Sequence, residues 1–180
     1  MKLFLSVFIL ACLKLVMPNA ANQEPVVIKN CGPGKIGKVI SFKDDIKNGV
    51  VIKDLSWAWN SSVACFPETQ KNSFTGKHLL FNTLIPANSE MTITLKPTKQ
   101  SSKLSLYGYQ VGVNNKAVVP NLSSCVSCEA DNNQAQKATN NHRSIQFRAI
   151  QRPYKIVIGI AGENGLSEGD FTFEIAVRPR

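Results

Sequence analysis

The sequence predicts an all-β protein: an antiparallel, jelly-roll-like β-sandwich of roughly eight or nine strands. Three observations carry this. Several segments alternate apolar and polar residues with a period of two, which sets one face on a core and the other in water. Clusters of Asn, Gly and Pro separate these segments. After the first twenty residues no stretch of useful length shows the 3.6-residue period of an amphipathic helix.

Taken in chain order, the candidate strands are Lys35 to Phe42, Val50 to Leu55 and His78 to Leu84. Thr92-Ile93-Thr94-Leu95 alternates cleanly, as do Lys103-Leu104-Ser105-Leu106-Tyr107-Gly108-Tyr109 and Ser144-Ile145-Gln146-Phe147-Arg148-Ala149. Lys155-Ile156-Val157-Ile158-Gly159-Ile160 is almost continuously apolar, the pattern of a central strand. Thr172-Phe173-Glu174-Ile175-Ala176-Val177 alternates again. Asn48-Gly49, Pro86-Ala87-Asn88, Lys96-Pro97, Asn114-Asn115 and the stretch 162–169 supply the turns. Ile156, Ile158, Ile160, Phe171, Phe173 and Ile175 are the candidate core, with the isoleucines mostly buried.

The first twenty residues have another character. Lys2 precedes an apolar run from Leu3 to Cys12 broken only by Ser6, and small polar residues follow from Pro18 to Asn22. A basic start, an apolar centre and a small-residue exit make a signal peptide spanning 1–20, with a cleavage site around Ala20 and Ala21 and a mature domain at 21–180. Lys14 splits the run into pieces far shorter than the ~20 residues of a spanning helix. Ile9-Leu10-Ala11-Cys12 offers an alternative, a lipobox that would anchor the chain to an outer membrane through Cys12. Cleavage after Ala20 removes Lys2 and Lys14 and lowers the net charge from +9 to +7. These charges are dispersed and lack interleaved aromatics, so a solvated basic surface is expected and nucleic acid is not.

Four cysteines remain: Cys31, Cys65, Cys125 and Cys128. In a secreted or periplasmic protein an even number reads as two disulfides, with three connectivities open. Cys31–Cys65 with Cys125–Cys128 is the preferred pairing. Cys125-Val126-Ser127-Cys128 also has redox-motif spacing, so a small exported enzyme or thiol-disulfide protein using Cys125 and Cys128 is an alternative. However, the acidic residues after it would raise a thiolate's pKa. Zinc would need further ligands at fixed spacing, and His142 alone is a poor supplier.

The catalytic inventory is thin: His78 on a strand, His142 in a polar loop, and no nucleophile elbow, zinc helix or phosphate loop. Loop carboxylates are Glu129 with Asp131, and Glu163 with Glu168 and Asp170. Either group is a calcium candidate through its oxygens. The second group is also where an all-carboxylate glycosidase site would lie.

Tyr154 to Ile160, an acidic Gly-containing loop and Gly169-Asp170-Phe171-Thr172-Phe173-Glu174-Ile175 resemble the closing hairpin of bacterial pre-peptidase C-terminal domains. Leu80-Phe81-Asn82-Thr83 with Pro86 to Leu95, then Lys103-Leu104-Ser105-Leu106-Tyr107, follow in the family's order, and the Cys-x-x-Cys loop resembles one in its secreted members. The resemblance covers residues 75–178. It implies a jelly-roll-like sandwich that assists secretion or binds polymers. Lys103 stands where the family has an acid, which weakens a carried-over calcium site. The chain shows no peptidase domain, so the module would act alone or with a separate partner.

The functional expectation is an exported, non-catalytic binding or accessory module. Its partners would be a polysaccharide, a cell-envelope component or another exported protein, with no cofactor beyond candidate calcium. Trp57 and Trp59 share a face if their segment is a strand, and two indoles there would form a binding platform.

Overall fold

A computed structural model describes residues 26–132 and 141–180. The expected signal segment, Cys12 and the cleavage site lie outside the described residues. Ten strands form two sheets: β1 (Ile28–Pro33), β2 (Val39–Asp45), β3 (Val50–Val51), β4 (Lys77–Ile85), β5 (Ser89–Pro97), β6 (Leu104–Val111), β7 (Ser127–Asp131), β8 (Arg143–Ala149), β9 (Tyr154–Gly162) and β10 (Asp170–Pro179). The larger sheet has the order β1-β4-β9-β6-β7 with β3 also on β4, and the smaller has β2-β10-β5-β8.

The alternating strands behave as their patterns require. In β5, β8 and β10 one face is buried and the other is partly or fully exposed. Ile93, Ile145, Phe173 and Ile175 meet Phe81, Leu106, Ile156, Ile158 and Ile160 between the sheets. Ile156, Ile158 and Ile160 are fully buried. Each such burial is worth about 1.5–3 kcal/mol. On the outer face of the smaller sheet, Glu90 lies opposite Arg148 on one neighbour and Arg178 on the other, and pairs with both at 3.0 and 2.6 Å.

The structure corrects several expectations. The sandwich is not wholly antiparallel, because β1 runs parallel to β4 with an irregularity between Asn30 and Pro33. Among the described residues the strands number ten, against the roughly eight or nine expected. The segment Val50 to Leu55 is strand only at Val50–Val51. β1 and β7 went unread: β1 has no clean alternation, and Glu129 and Asp131 disguised β7 as an acidic loop. The last two strands are not a hairpin. β9 sits in the larger sheet and β10 in the smaller, so the chain arches across the core between them.

β6 departs from the one-face reading, being buried along its whole length. Leu104 and Leu106 face the smaller sheet. Tyr107, Tyr109 and Val111 face outward, where Trp57, Phe66, Phe74 and their neighbours build a second core with Val157 and Ala161 of β9. This cover explains why β9 is continuously apolar: both its faces are out of water.

Candidate functional site

Beneath the second core, His78 is 1% exposed. The Phe74 carbonyl, 2.8 Å from Nε2, can only accept, so Nε2 carries the proton. Nδ1 is therefore an acceptor for the Tyr107 hydroxyl at 3.0 Å. Burial pushes the imidazole down to about 4, against the smaller upward pull of the Phe74 carbonyl. A neutral, enclosed histidine with both nitrogens engaged is a structural strut, not an accessible base.

The sequence-selected residues do not converge. Trp57 and Trp59 belong to a 3-10 turn and its end, not a strand. Trp57 is buried against Phe66, Tyr107 and Tyr109, so the expected two-indole platform does not form. Trp59 is half-buried beside an apolar hollow of about 430 Å³ lined by Ala64, Cys65, Phe66 and Pro67.

The preferred disulfide pairing is also overturned. Cys65 bonds Cys128, with Cα atoms 5.3 Å apart, while Cys31 and Cys125 are free thiols. β7 lies along β6, whose outward tyrosines pack under the loop carrying Cys65, so folding brings Cys128 to that loop. The Cys-x-x-Cys spacing thus does not form a redox pair, and burial raises the Cys125 thiol above its ordinary pKa. Cys31, on β1, is pushed up to about 12 by burial.

The calcium candidates are likewise dispersed. Glu163 is buried and accepts from Ser105 Oγ at 2.9 Å. Glu168 and Asp170 line a hollow with Asp45 and Lys99. Asp45 Oδ1 already accepts from the Lys47 and Gly169 backbone amides, which hold its carboxyl down at about 2. Glu129 is exposed on β7 and Asp131 buried at its end. Among the described residues no three His, Cys, Asp or Glu side chains gather into a group that could hold a metal.

A groove missed by the sequence reading runs where the edges of the two sheets approach. Its volume is about 920 Å³, and its lining includes Gln110, Ser127, Glu129, Gln146, Arg148 and Arg152. Gln110 is 4% exposed. Its Nε2 donates to the Arg148 carbonyl at 3.0 Å and its Oε1 accepts from Ser127 Oγ at 3.3 Å. At the other end of β8, Asp131 Oδ2 accepts from the Ser144 amide at 2.8 Å. These two ties fasten β8 to the opposite sheet. A residue in an antiparallel ladder turns both its backbone groups to the same side. Ser144, Gln146 and Arg148 therefore point theirs away from β5, and only Gln146 lies between the ties. The available signal was Gln110 itself, an amide in a strand of mostly apolar and aromatic residues.

No protein-family model matches the chain, and no curated protein matches it in sequence. Solved structures are similar to it in fold alone. The fold is similar to that of a pre-peptidase C-terminal domain. That domain, from the collagenase of Bacillus anthracis, is 12% identical with a TM-score of 0.42, the match covering 87% of this chain and all of that one. Aeromonas hydrophila PliG, a periplasmic inhibitor of g-type lysozyme, gives 9%, 0.37, 84% and 100%. CorA, a surface-associated copper-binding protein of Methylomicrobium album BG8, gives 8%, 0.44, 86% and 100%. At these values the likeness is one of strand arrangement.

Proposed function

We propose that the protein is an exported, non-catalytic binding module whose ligand lies in the groove between β7 and β8. The supporting observation is the lining of that groove. Amides, a serine, two guanidiniums and a carboxylate surround an open trough in which no nucleophile is set against a base. His78, being enclosed and neutral, cannot serve there. The Cys65–Cys128 bond suits an oxidising compartment and so supports export. The ligand classes that fit are a polysaccharide, a cell-envelope component or another exported protein.

The test is to present the immobilised chain with soluble polysaccharides, envelope fractions and exported proteins, beside a Gln146→Trp variant that fills the groove. Binding lost in the variant, but kept by Lys43→Gln on a distant strand, is the expected result. Binding abolished by Trp59→Ala and untouched by Gln146→Trp would move the site to the apolar hollow. Turnover of a peptide, ester or glycoside by the wild type would overturn the non-catalytic reading.

A further inference from the structure

Resting on the binding-module reading, the groove's chemistry narrows the ligand. Val126 and Ile150 line it and are 56% and 55% exposed. Two aliphatic side chains left this open gain from contact with an apolar group and little from a hydroxyl-rich one. The aromatic surface that a sugar would stack on is restricted to the half-buried Tyr154 ring. Phe147 is 2% exposed, and Tyr154 packs in part against the inter-sheet core. The Arg152 guanidinium lies 5.4 Å from the Tyr154 ring centroid, and its Nε donates to the phenol oxygen at 3.0 Å.

That arrangement also prepares Arg152 as a receptor. With Nε tied to Tyr154, the two terminal nitrogens form a planar, positively charged fork. Among the described residues no carboxylate forms an ion pair with it, whereas Arg148 is engaged by Glu90 at 3.0 Å. Such a fork matches a carboxylate in bidentate geometry. The groove is polarised as well. Glu129 stands two residues along β7 from Ser127, roughly 7 Å at the ordinary strand rise. Ser127 pairs with Gln110, and the neighbouring strand position brings in Lys155, next to Tyr154. An incoming acid is therefore favoured at the Arg152 end and disfavoured at Glu129. An added β-strand does not fit, because Gln110 and Asp131 occupy the β8 edge on either side of Gln146.

We infer that the groove docks a loop of another exported protein, taking a carboxylate of that loop on Arg152 and an aliphatic side chain against Val126 and Ile150. The loop enters with its acid toward Tyr154 and a basic or amide side chain toward Glu129.

The experiment pans short disulfide-closed peptide loops, displayed as a random library, against the full exported chain, with counter-selection on an Ile150→Glu variant. Selected loops are expected to carry Asp or Glu beside an aliphatic residue. Changing that acid to its amide weakens binding about tenfold or more, as expected for a charge pair held in a groove. Arg152→Gln produces a similar loss, and the two changes together add little beyond either. Arg152→Glu should recover affinity for loops whose acid is replaced by Arg. Loops with no acid preference, or an affinity unchanged by Arg152→Gln, would overturn the inference. Oligogalacturonate or neutral oligosaccharides bound in a manner sensitive to Ile150→Glu would overturn it too, in favour of a glycan site, while leaving the binding-module reading standing. Ligands of every class bound equally by Gln146→Trp would instead remove that reading.

Discussion

His78 ties stability to pH in a way that can be calculated. Its ordinary pKa is near 6.5, and burial lowers it to about 4 in the folded protein. Between those values the unfolded chain binds more protons than the folded one, so stability rises with pH across the window. The contribution is complete above pH 6.5 and is lost as pH falls toward 4. Linkage gives a loss of about 2 kcal/mol by pH 5 and about 3 kcal/mol by pH 4 for a group this enclosed. The assay is urea unfolding from pH 7.5 to 4, comparing wild type with His78→Gln, whose amide keeps a donor and an acceptor but does not titrate. Other carboxylates, Asp45 among them, titrate in both proteins and cancel in the difference. The wild-type curve should fall toward, or cross, that of the variant as the pH drops. Parallel curves from pH 7 to pH 4 would refute the claim that the imidazole is held neutral by burial.

Three more outcomes follow from the packing. Cys65 and Cys128 are 63 residues apart, a loop whose closure is worth about 4 kcal/mol in the chain-entropy account; reduction should lower the denaturation midpoint accordingly, and peptide mapping should link these two while Cys31 and Cys125 alkylate after unfolding. Gly159→Ala would place a Cβ 2.0 Å from the Tyr107 ring, which His78 holds in place, so a loss of about 3 kcal/mol or more is expected by calorimetry. Native-like stability in that variant would contradict this close approach of the Tyr107 ring to Gly159. Asp131→Ala removes the acceptor for the Ser144 amide and should lose about 1–3 kcal/mol, with faster amide exchange at Ser144 as the local sign.

The strands and the inter-sheet core could be read because period-two alternation is a local property that survives without knowledge of neighbours. Ile93, Ile145, Phe173 and Ile175 illustrate this. Where a strand is covered on both faces, as in β6, alternation of Leu with Tyr misleads, since tyrosine suits a wet or a buried face alike. β7 was lost because five short residues with two acids lack a pattern of their own and are strand only through pairing with β6.

By itself, the sequence determined the sandwich class, the absence of long helices among the described residues and the identity of its central apolar strand. The tertiary structure alone decided the Cys65–Cys128 bond, the burial of Trp57, the enclosure of His78 and the groove beside Arg152. Each of these joins residues tens of positions apart or sets one against the other sheet. Such proximity follows from strand order and from which loop covers which face, and neither leaves a local periodicity to read.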